Sequence, residues 1–117
     1  MNWDMVNETA PVLGLVGDLI FGSRISAAGR AAGVGVKLLR EPGALAGVGG
    51  RMLLVDLSVS GAIEAASQWK AEQGGPVIGF VSHVDTDTIG RAQSAGFDQV
   101  LPRSRFVQVL PDLLARR

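Results

Sequence analysis

Arg51-Met52-Leu53-Leu54-Val55-Asp56-Leu57 is the stretch that decides the fold. Its apolar middle is too short for a buried helix and too uniformly apolar for a strand with one wet face, so it reads as a central strand covered on both sides. Strands of this kind belong to parallel sheets, whose crossover helices cover both faces. The run closes on an acid, which places a carboxylate where strand gives way to loop.

The same pattern repeats outward in both directions. Pro11 to Val16 (PVLGLV) is an apolar run ending at Gly17-Asp18, and Val34 to Leu39 (VGVKLL) is the next strand. Pro76 to Val81 (PVIGFV) and Gln99-Val100-Leu101 supply a fourth and a fifth. Helical spacing fills the intervals. Ser23 to Ala32 carries Ile25, Ala28 and Ala32 on one stripe, with Ser23 as N-cap and Gly33 just past the end. Gly61 to Gln73 turns Ile63 and Ala66 inward, with Trp69 beside them and partly exposed. Asp85-Thr86-Asp87 is an N-terminal capping cluster for a helix to Ala95. Ser104 to Ala115 is amphipathic through Phe106, Val107, Leu110, Leu113 and Leu114, and Pro111 inside it predicts a kink or a split. Glu41-Pro42-Gly43 opens a short helix or turn reaching Gly50.

Five βα units with buried strands predict an α/β domain, a five-stranded parallel sheet in order 2-1-3-4-5 with helices on both faces, the flavodoxin-like three-layer arrangement. Residues 1–10 read as a polar leader and 11–117 as one domain.

Composition narrows the function. The chain has 117 residues, 11 Lys+Arg against 11 Asp+Glu, and no Cys. Zero net charge and the lack of a recognition helix argue against a nucleic-acid partner, although Arg103, Arg105, Arg116 and Arg117 gather positive charge on the last segment. Thiolate metal sites, redox dithiols and Cys nucleophiles are excluded. No apolar run reaches the eighteen or so residues of a membrane span, and the N-terminus lacks an export signal, so the expected location is the cytoplasm.

Doubly wound sheets collect their functional groups beyond the carboxyl ends of the strands. The first strand delivers Asp18 there, the third Asp56, the fourth Ser82, His83 and Asp85, and the fifth Pro102, Arg103 and Ser104. Asp18 and Asp56 are candidate metal ligands. Ser82, His83, Arg103 and Ser104 are candidates for holding a small-molecule or phosphate ligand. Each also has a structural reading. Asp18 caps a helix, Asp56 caps its loop or pairs with Arg103, and His83 is a hydrogen-bonding loop residue. A Ser-His-Asp hydrolase fits poorly, because Ser82 and His83 are adjacent and no G-x-S-x-G elbow is present. Gly14, Gly17 and Gly22 match neither the G-x-G-x-x-G nor the G-x-x-x-x-G-K-[ST] pattern.

This set resembles the receiver domain of two-component response regulators. Asp18 matches one strand-one acid, Asp56 the phosphoacceptor, Ser82 the hydroxyl after strand four, and Arg103 the Lys after strand five. The stretches Asp18-Leu19-Ile20-Phe21, Phe80-Val81-Ser82-His83-Val84-Asp85 and Leu101-Pro102-Arg103-Ser104-Arg105-Phe106 are similar to those of small bacterial receiver-like proteins. The resemblance runs from Pro11 to the C-terminus, and its departures are specific. Gly17 stands where receivers have a second acid, Arg103 where they have Lys, Ser104 where they usually have Pro, and Val100 where they often have an aromatic. The Pro-Gly turn expected after the phosphoacceptor reads Ser58-Val59-Ser60-Gly61.

The resemblance therefore implies a degenerate receiver, a non-catalytic signalling module acting through a protein partner, with homodimerisation as one form of that partnership. Exposed aromatics, Trp3 and Trp69, would mark the partner surface. A working receiver phosphorylated on Asp56 with Mg²⁺ at Asp18 is the second reading. A small-molecule binding domain using the same crevice is the third.

Overall fold

The computed structural model describes residues 10–83 and 85–115. Trp3, Arg116, Arg117 and all of the expected leader except Ala10 lie outside them. The order of elements is β1 (Val12–Leu15), α1 (Leu19–Ala32), β2 (Val36–Leu39), β3 (Met52–Asp56), α2 (Ala62–Gln73), β4 (Val77–Val81), α3 (Thr86–Ser94), β5 (Gln99–Pro102) and α4 (Arg103–Ala115). All four strand pairings are parallel, and the sheet runs β2-β1-β3-β4-β5 as the sequence predicts.

The two-residue period of the strands splits the core in two. Leu13, Leu15, Leu53 and Val55 point to one face, where Ala66 and Trp69 of α2 and Ala92 of α3 cover them. Val12, Leu54, Ile78 and Phe80 point to the other, under Phe21 and Ile25 of α1 and Phe106, Leu110, Leu113 and Leu114 of α4. On that second face Phe80 stacks on Phe106 at 4.4 Å between ring centroids, and Phe21 lies 5.0 Å from Phe80.

Several boundaries differ from expectation, each for a physical reason. Helix α1 starts at Leu19 rather than after Ser23. Asp18 is its N-cap, one carboxylate oxygen accepting the amides of Ile20 at 2.9 Å and Phe21 at 3.2 Å. Starting a turn earlier buries Phe21 and Gly22, which a Ser23 cap would leave outside the helix. Strand β2 is half-exposed rather than buried, because it forms the edge of the sheet. Between β2 and β3 the glycine-rich chain makes a single 3₁₀ turn, Pro42–Leu45. Trp69 is 3% exposed, not a surface aromatic, and its indole N–H donates to the Val48 carbonyl at 2.8 Å. Helix α4 continues through Pro111 unsplit. Pro111 lies on the exposed side, where water can serve the carbonyl that loses its N–H. No helix among the described residues is long and apolar enough to cross a membrane.

Candidate functional site

Parallel pairing brings the ends of β1, β3, β4 and β5 to one edge, and with them Asp18, Asp56, Ser82, His83, Arg103 and Ser104. No described hydrogen bond joins the Asp56 side chain to the others. Asp18, Ser82, Arg103 and Ser104 line an open cleft, Asp56 is buried outside it, and His83 joins neither.

Asp56 is 5% exposed, the single buried charged side chain among the described residues. Its Oδ1 accepts the backbone N–H of Ser58 at 3.0 Å and the Ser58 hydroxyl at 2.7 Å. This is the local turn that an acid makes with the residue two positions on. A buried carboxylate must find donors, and here the following loop supplies them. Of its two structural readings, Asp56 takes the loop-capping one.

Arg103 pairs elsewhere. Its guanidinium Nη2 donates to Asp18 Oδ2 at 3.0 Å, and the Arg103 guanidinium lies over the Phe21 ring at 3.8 Å from the centroid. Both partners come from the start of α1, so the Asp18 cap, the Phe21 platform and the first residue of α4 form one unit. The Arg103 hydrogen bond, together with the Phe21 and Ile20 amides, holds the Asp18 carboxyl below its ordinary 3.8, against a smaller opposing effect of desolvation.

Around this unit opens a cleft of about 700 Å³ between α1 and α4. Asp18, Arg24, Ser82, Arg103 and Ser104 supply its polar lining, and Ile20, Phe21, Pro102 and Val107 its apolar wall. Asp56 and His83 do not line it. His83 is exposed beyond β4. Asp85, which a triad would require as an orienting acid, instead caps α3, accepting the Thr88 hydroxyl at 2.8 Å and the Asp87 amide at 3.1 Å. Thr88 chiefly, through its hydroxyl and amide, holds the Asp85 carboxyl below its ordinary value. A smaller hollow of about 290 Å³ lies on the opposite face, between the 3₁₀ turn and α2.

As they stand, the described side chains are not arranged as a divalent-cation site. Mg²⁺ requires oxygen ligands in near-octahedral order. One oxygen of Asp18 is occupied by two amides and the other by Arg103, while Gly17 offers no side chain. A cation beside Asp18 would also face the Arg103 charge. Among the described residues no three Asp, Glu, His or Cys side chains come together as ligands.

Sequence reasoning missed Phe21, Arg24 and Ser58. A D-x-S pattern at Asp56 was a legible sign of the local turn. Phe21 falls at the position three residues after the cap, but a stacking role for it depends on α4, 85 residues on from Asp18 at Arg103.

No protein-family model matches the chain, and no curated protein matches it in sequence. Solved structures do. The chain superimposes on the BeF3-activated DrrB receiver domain with a TM-score of 0.78 at 13% identity, covering 91% of this chain and 94% of that one. A response regulator from Thermotoga maritima gives 0.74 at 18% identity, covering 91% and 94%. A response regulator from Burkholderia pseudomallei, described with a phosphorylated aspartic acid, a calcium ion and citrate, gives 0.76 at 13% identity, covering 90% of this chain and 66% of that one. The fold of this chain is that of a response-regulator receiver domain.

Proposed function

We propose that this chain is a degenerate receiver, a non-catalytic signalling module that acts on a protein partner, a different chain or a second copy of itself, without phosphorylation of Asp56. The observation that carries this reading is the engagement of Arg103 with Asp18 and Phe21. In a phosphorylated receiver the strand-five cation would meet the phosphoryl group on Asp56, and the strand-one acids would hold the metal that offsets its charge. Here the residues at those two positions neutralise one another, and Ser58 occupies an oxygen of Asp56. Arg also differs from Lys in kind. Its planar fork suits a carboxylate and an aromatic face, which is how it is used, whereas Lys is a compact point charge. A working receiver labelled on Asp56 is supported by likeness of fold, the Burkholderia protein being described with a phosphorylated aspartic acid.

Intact mass after incubation with acetyl phosphate and Mg²⁺ tests the proposal, with Asp56→Asn as control and a known receiver labelled in parallel. The expected result is no phosphoryl adduct on either form. An adduct on the wild type that Asp56→Asn abolishes would overturn it.

A further inference from the structure

We propose that the cleft between α1 and α4 is a binding site for a free organic anion, an apolar or aromatic body carrying a phosphate or carboxylate. The charged end would be held by Arg24 and Arg103, and the body laid along Ile20 and Val107.

Charge sets the sign of the ligand. Two guanidinium groups and one carboxylate line the cleft, leaving one positive charge in excess. Arg24 is exposed and pairs with no described carboxylate. Arg103 gives one nitrogen to Asp18 and rests its face on Phe21, so its orientation is fixed while other donors of the fork remain for a second partner. The Arg103–Asp18 pair is itself a partly exposed, screened contact, which a ligand's own oxygens can share or replace. The Ser82 and Ser104 hydroxyls add neutral donors on the same wall. The two guanidinium groups would repel a metal ion.

Surface chemistry sets the rest of the ligand. Ile20 is 85% exposed, and only Leu19 and Leu38 accompany it as exposed large hydrophobics among the described residues. It lies in the cleft, continuous with Phe21, Pro102 and Val107. An inorganic anion would leave that wall in water, whereas an apolar body would cover it, and each covered area adds to binding in proportion to its size. The volume, about 700 Å³, is that of a small-molecule site. Asp56 does not line the cleft, but Asp18, Ser82 and Arg103 do, so this site rests on the proposed reading that these residues are not engaged with a phosphoryl group on Asp56.

The test is calorimetry and amide NMR of the whole chain with phenyl phosphate as probe, alongside inorganic phosphate, benzyl alcohol and phosphatidylglycerol vesicles. Phenyl phosphate is expected to saturate, moving the amides of Ile20, Phe21, Ser104 and Val107, and to bind more tightly than either fragment. Arg24→Gln, a surface change confirmed as folded by its melting curve, is expected to weaken it about tenfold, the scale of one lost hydrogen bond to a charged group. Ile20→Asp is expected to abolish it. Absence of saturable phenyl phosphate binding, an affinity unmoved by both substitutions, or binding to vesicles alone would each overturn the proposal.

Discussion

Asp56 and Asp18 stand at the ends of adjacent strands of one sheet, yet they are held in opposite ways. Asp56 is buried, and its own loop serves one carboxylate oxygen, Oδ1, through Ser58. Asp18 is exposed and reaches across the fold, capping α1 with one oxygen and binding Arg103 of α4 with the other. A short-range partner closes a site, because no ligand is needed to satisfy it. A long-range partner in water leaves a site open, because the contact is weak and neighbouring donors remain free. From this difference Asp56 is expected to be the less available of the two, although it is the one that the receiver pattern marks.

The largest effect is expected beneath the open cleft. Phe106→Ala removes the ring that stacks on Phe80, and should cost about 3–5 kcal/mol in urea unfolding, the usual penalty for an emptied aromatic site. It should also erase phenyl phosphate binding, whereas the loop at Asp56 should keep its amide shifts.

Ser58→Ala tests the closed position. It leaves a buried carboxylate with one of its two described donors, and a loss of roughly 1–3 kcal/mol is expected by chemical denaturation. An unchanged midpoint would mean that Asp56 draws its donors from water, and the contrast between the two sites would weaken.

Acid sharpens the contrast at Asp18. Its folded pKa is lowered, so its contribution to stability is fully present above the ordinary 3.8 and disappears as pH falls through the lowered value. Arg103→Gln removes the main cause and should move the Asp18 titration, followed by side-chain carboxyl NMR, upward toward 3.8. If the titration does not move, the pairing is not formed in solution.

The smallest effect should come from Gly17→Asp, which restores the missing acid. A Cβ at Gly17 meets only Val59, at 3.6 Å, so stability should stay within about 0.5 kcal/mol by thermal melting. Mg²⁺ affinity should change little while Arg103 still holds Asp18, and should rise when Gly17→Asp is combined with Arg103→Lys.

How much of this was legible follows from the range of each interaction. The strands could be read because burial on both faces removes polar residues from Leu53, Leu54 and Val55. Gly33, at φ 72°, was readable as the end of α1 because a left-handed residue there favours glycine. The start of α1 was misplaced because Ser23 and Asp18 both satisfy the local rule for a cap, and only packing of Phe21 against Phe80 chooses between them. Trp69 looked exposed because the indole's partner, the Val48 carbonyl, belongs to the irregular stretch before β3. The list of site residues was legible as a set of strand ends. Its division into a closed and an open part was not, since that depends on which side chains meet across α1 and α4.

We propose that the Asp56 position does not accept a phosphoryl group while Arg103 is engaged at Asp18. An amide NMR titration of the wild-type chain with beryllofluoride and Mg²⁺ measures this most directly, at Ser58, Ser82 and Arg103. No saturable shift is expected at any of the three. Saturating shifts at Ser58 and Ser82, accompanied by movement of Arg103, would contradict it.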